Sequence, residues 1–475
     1  MSIILSLCLI PLLSIFLIQI LPRYTWGTLK VTVLLIWLEF IVQVLTLYPL
    51  LVNKIAPIPV IDGFMVDKIA ILFILLTTLI MAACFSHSYW FFSHEFKKNN
   101  SISLSQLRIF NVISIMFYLS MIFVYCLDNL GYLWIDIELT TILSAGLVYF
   151  NRTKHALEAT WKYFVICSVG IAFALLGTTL IYASSQLHGC HGSLNVSYLI
   201  NQTQHLDLNL FKFGFIFCLL GYGTKAGIFP LHSWLPDAHS EAPAPASAML
   251  SACLLNCALF AILRLNSIAC LIIANMASLI IWIGCITILA ASLFLLRQYG
   301  IKRLWAYSSI ENVGLMLVSI GLNQPWLFFL LAFNHSLVKS ALFLLSGNIM
   351  QITNSKELKD ISGLIEFSPV MAILLVLSSL AITGTPPFGN FMAEIILLSQ
   401  LLNLNFIYPF ILIAIALTIS FIAVLTHVGK ITVGKPKINY IQLNNFNYSL
   451  IPVLLVFLSL IAGFFFTNKL FIGMN

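Results

Sequence analysis

Residues 219–264 read LLGYGTKAGIFPLHSWLPDAHSEAPAPASAMLSACLLNCALFAILR, and this stretch decides how the chain is understood. It places one cation, Lys225, inside an apolar run among Gly221, Gly223 and Gly227. A break at Pro230 and Pro236 follows, then a polar hinge with His232, Asp237, His239 and Glu241, then a second apolar run. A cation at a weak point of a membrane helix is costly, and such a residue is read first as functional.

The composition supports a membrane setting. Of 475 residues, 61% are hydrophobic and 8% charged, against about 25% charged in a soluble domain. Mean hydropathy is +1.03. That leaves no room for a soluble catalytic domain. The opening MSIILSLCLIPLLSIFLIQI lacks a basic leader region and reads as a retained first span. The ten cysteines are scattered without CxxC spacing, which argues against iron–sulfur or zinc ligation. His188, Cys190 and His191 share a loop that reads as plain polar surface, with metal binding the lesser alternative. Phosphate-loop, dinucleotide, haem-attachment and nucleophile motifs are absent. No cofactor is expected, so any electron transfer must run elsewhere.

Spans need roughly 20 apolar residues. Fourteen stretches qualify: 2–21, 30–50, 69–92, 108–127, 130–150, 160–183, 209–229, 243–264, 268–296, 303–321, 325–350, 369–402, 406–428 and 449–471. Threading the chain through them puts 16 of the 23 cations in loops on one side and 5 on the other. Basic loops stay in the cytoplasm, so both termini are expected outside. The net charge of +7 is mostly this topology signal, and nucleic acid is not an expected partner.

Two cations remain within spans, Lys225 and Lys339. Lys225 lies about 9 Å from the cytoplasmic end of its span at helical rise, so snorkelling to that face is the competing reading. Lys339 is deeper and shares a helix face with His335, four residues earlier. Glu39, Glu138, Glu311 and Glu394 also fall inside spans, with Asp136 near Glu138. For Glu39 a structural hydrogen-bonding role is equally expected. Span 369–402 is too long for one straight crossing and holds GTPPFG at its middle.

The two broken spans, seventh and twelfth, are five apart. Spans 4–8 and 9–13 therefore read as two inverted five-helix repeats, with Lys225 matched to the neighbourhood of Glu394. The expected fold is an all-α polytopic membrane protein of about 14 transmembrane helices. Its expected parts are three N-terminal helices (1–107), a first repeat (108–264), a second (265–428) and a last helix (429–475).

Burial favours a neutral amine and a nearby carboxylate favours an ammonium. A Lys–Glu pair whose separation or hydration changes can therefore pick up a proton on one side and release it on the other. Glu138, Lys225, Lys339 and Glu394 form an expected row, with His335 and His239 as relays and Glu311 as a further buried carboxylate. The plainer alternative is a set of salt bridges that fix helix register.

At these residues the chain resembles the antiporter-like membrane subunits shared by respiratory complex I, Mrp-type antiporters and membrane-bound hydrogenases. Within that group it is most similar to subunits of the hydrogenase-4 component F type. The matching pieces are IELTTILSAGLV (137–148), LEATWKYFVICSVGIAFALLGT (157–178), the opening stretch, IKRLWAYSSIENVGLM (301–316), FNHSLVKSALFLLSGN (333–348) and GTPPFGNFMAEI (384–395). The resemblance implies fourteen helices, inverted repeats and a proton path along a hydrophilic axis. It sets Glu138 on the family's fifth-helix glutamate and Lys225 on the lysine of the broken seventh. Lys339 falls on the lysine of the eleventh, and Glu394 on the acid of the broken twelfth. Asn256 departs from the complex I pattern, where the eighth helix often carries lysine or histidine; a relay there would run through water near Asn256, Ser247 and Ser251.

The implied function is a proton-translocating subunit of a hydrogenase-4 or NADH–quinone oxidoreductase-like complex. It would sit in the bacterial inner membrane among other membrane and peripheral subunits and hold no redox centre of its own. The alternative is a proton- or sodium-coupled subunit energising a non-redox partner, such as inorganic-carbon uptake or an Mrp-type sodium/proton antiporter.

Overall fold

In the computed structural model the described residues are 2–20, 26–52, 57–99, 103–186, 192–273, 275–436 and 447–465. The loop holding His188, Cys190 and His191 falls outside them. Chain segments in lipid must satisfy their backbone groups internally, and this chain does so almost wholly with helices. In order they are α1 (Ser2–Ile20), α2 (Trp26–Val52), α3 (Lys68–Asn99), α4 (Leu104–Cys126), α5 (Leu130–Val148), α6 (Lys154–Gln186) and the short α7 (Val196–Asn201). Then come α8 (Leu208–Ala226), α9 (Trp234–Glu241), α10 (Ala244–Met249), a π-helical turn (Leu250–Leu254) and α11 (Leu255–Ile272). The second half holds α12 (Met276–Leu295), α13 (Ile301–Gly321), α14 (Pro325–Thr353), α15 (Leu364–Phe367), α16 (Pro369–Ile382), α17 (Gly389–Asn403), α18 (Ile407–Thr432) and α19 (Asn447–Phe465).

Within the described residues each expected stretch overlaps a helix or a broken helix, the last, 449–471, being described only as far as Phe465. Among the described residues, nine helices are long and apolar enough to cross a membrane on their own. The twelfth stretch is broken as expected, into α16 and α17. The seventh breaks at Gly227 to Ser233 only. Pro236 lies within α9, near the start of that helix, where a missing N–H costs nothing, so it does not interrupt the chain. The eighth stretch runs on to Ile272, past the expected start of the ninth. The helix carries Asn266 and Ser267 within it: Asn266 donates to the Ile320 carbonyl at 2.8 Å and Ser267 to that of Arg264 at 2.7 Å.

One element goes beyond the sequence expectation. A hairpin of β1 (Ile58–Ile61) and β2 (Phe64–Val66) turns at Gly63, whose φ of +81° suits glycine. The Gly63 carbonyl accepts the N–H groups of Asp128 and Asn129, which anchors the start of α5.

Two packing features position the interior. Helix α14 is almost wholly buried and packs against α3, α10, α13, α16, α17 and α19. Helices α6 and α8 approach so closely that a methyl group on Gly221 would sit 2.5 Å from the Gly170 carbonyl, and one on Gly177 2.5 Å from that of Gly214. Small residues allow such backbone contact between membrane helices. Gly221→Leu is therefore expected to force α8 away from α6 and destabilise the fold by about 1–3 kcal/mol, read as a lower thermal midpoint in detergent; Leu220→Ala, at an exposed neighbour, is the unaffected control.

Candidate functional site

Helix α8 ends at a glycine stop two residues after Lys225. Gly227 adopts φ +81°, its N–H bonds to the Thr224 carbonyl and that of Ile228 to the Gly223 carbonyl. Lys225 therefore stands in the last turn of that helix. It is fully buried and does not snorkel. Its ammonium donates to the Tyr163 hydroxyl of α6 at 2.6 Å and to the Thr141 hydroxyl of α5 at 2.9 Å, and lies 4.9 Å from the Tyr163 ring centre. The Tyr163 hydroxyl is 2.5 Å from that of Ser144, and its ring packs on Trp234, whose indole N–H caps the Thr224 carbonyl.

The expected Lys225–Glu138 ion pair is not formed. Glu138 is only half-buried, and its carboxylate accepts from the Ser168 hydroxyl at 2.9 Å. Its other oxygen, Oε2, is buried without a hydrogen-bond partner among the described residues, and the group lies within electrostatic reach of Lys225, Tyr163 and Cys167. Neutral hydroxyls, and not a carboxylate, hold the first buried lysine.

The second half is organised by the π-helical turn. One extra residue in a turn displaces the regular ladder, and the carbonyls of Ser251 and Ala252 take side-chain partners from α14. His335 Nε2 is 3.3 Å from the Ser251 carbonyl, and Ser336 donates to that of Ala252 at 2.6 Å. Asn256 donates to both the Ala252 carbonyl and the Ser336 hydroxyl, and the Ser251 and Ser309 hydroxyls meet at 2.8 Å. Ser247 bonds instead to the His239 and Ala242 carbonyls. The polar crossing expected around Asn256 is thus built from direct contacts.

Lys339 is fully buried and donates to the Trp305 carbonyl at 2.9 Å. Glu311 of α13 lies within electrostatic reach of both Lys339 and Glu394. Glu394 is folded back over the break between α16 and α17: Asn390 donates to it at 2.8 Å, and Gly384, at φ +64°, leaves room for its carboxylate. His239 is fully buried against the Phe343 ring, 4.8 Å between centres, with Lys302, Lys339 and His335 as its charged neighbours.

The hinge itself is clamped by charge. Asp237 meets Arg303 at 2.5 Å and Lys162 at 3.5 Å, while Lys356 reaches both oxygens of Glu241 at 2.9 and 3.0 Å. Beside this clamp a cavity of about 250 Å³ is lined by residues including Glu95, Glu241, Lys302, Gln351 and Lys356. Lys302, a loop cation by sequence, is buried and donates to the Ala242 carbonyl at 2.6 Å. Sequence reasoning also missed Tyr163, Thr141 and Ser144; isolated hydroxyls in apolar helices carry no signal until a cation is seen against them. Glu39 takes the structural role, receiving a hydrogen bond from Gln43 in a buried cluster with Thr78 and Tyr118. Among the described residues no group of three or more His, Cys, Asp or Glu side chains is placed to hold a metal ion.

A family profile described as NADH:quinone oxidoreductase/Mrp antiporter, TM, matches residues 128–426, which include Glu138, Lys225, Glu311, Lys339 and Glu394. The chain belongs to that family. It is 41% identical over 349 residues to a hydrogenase-4 component F homolog of Methylacidiphilum infernorum (isolate V4), covering 71% of this chain and 72% of that one. It is 31% identical over 301 residues to hydrogenase-4 component B of Escherichia coli (strain K12), covering 59% and 43%. Over 362 residues it is 30% identical to a Na(+)/H(+) antiporter subunit of Alkalihalophilus pseudofirmus, covering 71% and 42%. The chain thus spans less than half the length of these last two relatives. Among solved structures, a chain of the membrane-bound sulfane sulfur reductase, an archaeal respiratory membrane complex, superposes with a TM-score of 0.82 at 21% identity, covering 98% of this chain and 94% of that one. That likeness shows the fold, an all-helical polytopic membrane architecture.

Removing one donor or acceptor from a buried charge costs about 1–3 kcal/mol. Tyr163→Phe is expected to lower the thermal midpoint in detergent, and Lys225→Met in the same chain to restore most of the loss. A double-mutant cycle without coupling between the two positions would show that Tyr163 does not hold the lysine.

Proposed function

We propose that this chain translocates protons as an antiporter-type subunit of a hydrogenase-4 or NADH–quinone oxidoreductase-like energy-converting complex. The observation that carries the reading is the pair of fully buried lysines held by neutral oxygens, Lys225 by Thr141 and Tyr163 and Lys339 by the Trp305 carbonyl. An ammonium with no carboxylate in contact is only weakly committed to its charge in a low-dielectric interior. Such a group can give up and regain a proton as its surroundings change. The polar contacts at the π-helical turn, with Glu311 beyond Lys339, supply a route between Lys225 and Glu394. His239 and His335 serve as relays, and the cavity beside Lys302 supplies water at the hinge end.

Two further parts belong to this reading. The hinge end gathers Lys162, Lys302, Arg303 and Lys356; as the basic side it faces the cytoplasm of a bacterial inner membrane, with both termini outside. Glu138 is half-buried against α6 and within electrostatic reach of Lys225, so its charge sets the field in which that lysine exchanges its proton. The relatives named as antiporter subunits support a second reading, in which sodium is exchanged or a non-redox partner is energised through the same residues.

In the complex purified from its native membrane and reconstituted into vesicles, Lys225→Ala and Lys339→Ala are each expected to abolish proton movement while the subunits still copurify. Wild-type proton movement in both variants would sink the proposal. Dependence of that movement on sodium at constant pH would select the second reading.

A further inference from the structure

Lys302 is a third buried lysine, and the route above gives it no proton to carry. It stands in the first turn of α13 and is 5% exposed. Its ammonium donates to the Ala242 carbonyl at 2.6 Å. Among the described residues no carboxylate comes within ion-pair distance of it. Lys225 and Lys339 are likewise held by neutral oxygens, but both are fully buried. Lys302 differs in lining the cavity of about 250 Å³. The walls of that cavity run out to Asn151, Asn354 and Lys356, which are exposed, and it has room for several waters.

Direct contacts tie this lysine to the buried row. Ala242 caps the C-terminal end of α9, and His239 lies three residues back on that helix, about 4.5 Å of helical rise. The Ser247 hydroxyl donates to the same Ala242 carbonyl at 3.4 Å and to the His239 carbonyl at 3.0 Å. Both ring nitrogens of His239 are buried without partners among the described residues. Trp305, three residues after Lys302 on α13, holds Lys339 through its carbonyl. The other titratable groups around the cavity are His94 and Glu95 of α3, Glu241 of α9 and Lys356 of the loop after α14. Glu241 is engaged by Lys356. A cation on the last carbonyls of a helix is also a plain structural cap, and that reading predicts a lysine that keeps its proton throughout.

We propose that Lys302 is the proton-loading residue of the route, the group at which a proton leaves cavity water and enters the buried row. This rests on the proton-translocating reading. On loading, an O–H bond of a hydronium ion in the cavity breaks and an N–H bond forms on the Lys302 amine. The resulting ammonium is held by the Ala242 carbonyl. On release an N–H bond of Lys302 breaks and one forms at the unprotonated ring nitrogen of His239, so imidazole becomes imidazolium and the amine is restored.

The test uses the reconstituted complex, with Lys302→Arg, Lys302→His and Lys225→Ala compared for proton movement under an imposed potassium diffusion potential. Copurification of the subunits checks assembly. Arginine still donates to a carbonyl but stays charged, so Lys302→Arg is expected to slow proton movement on the order of tenfold or more. Histidine titrates roughly four pH units below lysine, so Lys302→His is expected to outpace Lys302→Arg, with its pH profile displaced to lower pH. Wild-type rates in Lys302→Arg, or Lys302→His as slow as Lys302→Arg, overturn this inference; with Lys225→Ala inactive they leave the function standing. Wild-type rates in both Lys302→Arg and Lys225→Ala overturn the function. If the Lys302 variants fail to assemble, acetylation of the wild-type complex by acetic anhydride, read by mass spectrometry, decides. Modification of Lys302 together with Lys356 supports loading from cavity water, and Lys302 left unmodified where Lys356 is modified overturns it.

Discussion

The fold depends on keeping one ammonium satisfied where water does not reach. Lys225 could have been paired with a carboxylate, and the nearest acid on α5 was the obvious partner. Instead two hydroxyls and an aromatic face hold it. A tight ion pair would fix the charge, whereas hydroxyls tolerate both the charged and the neutral lysine. That tolerance makes demands on the surrounding helices. Helices α5, α6 and α8 must meet within hydrogen-bond distance, which the glycine contacts between α6 and α8 permit and the hairpin grip on α5 secures.

The same economy governs the second half. A regular eighth helix would have kept all its carbonyls to itself. The π-helical turn directs Ser251 and Ala252 towards α14, so His335, Ser336 and Asn256 are partnered within an otherwise apolar core. Because α14 is enclosed by neighbours on nearly all sides, its polar face is shielded from lipid. Lys339, Glu311 and Glu394, carried on α14, α13 and α17, are all buried.

Charge is handled differently at the hinge. There ion pairs join α9 to the ends of α6 and α13 and to the loop after α14. They are partly exposed and individually weak. Their contribution is geometric, holding the short helix that carries His239 beside the cavity. Lys225 and Lys339 have no ion pair of this kind among the described residues and bond to neutral oxygens.

Much of this was legible in the chain itself. Apolar runs of membrane length dictate helices, because lipid offers the backbone no other partner. Glycine and proline dictate where two of them break, and the rarity of charge makes Lys225, Lys339, Glu138 and Glu394 conspicuous. What could not be read was which way each side chain faces and what it touches. Glu138 and Asp136 differ by two positions, yet helical rotation puts them on different faces of α5, the first half-buried against α6 and the second buried. Tyr163 and Thr141 became partners of Lys225 only through packing of helices distant in sequence, and Pro236 did not interrupt its helix because it falls in the first turn. Periodicity and hydropathy are properties of single segments, whereas hydrogen-bond partnership in a buried interior is a property of several segments brought together.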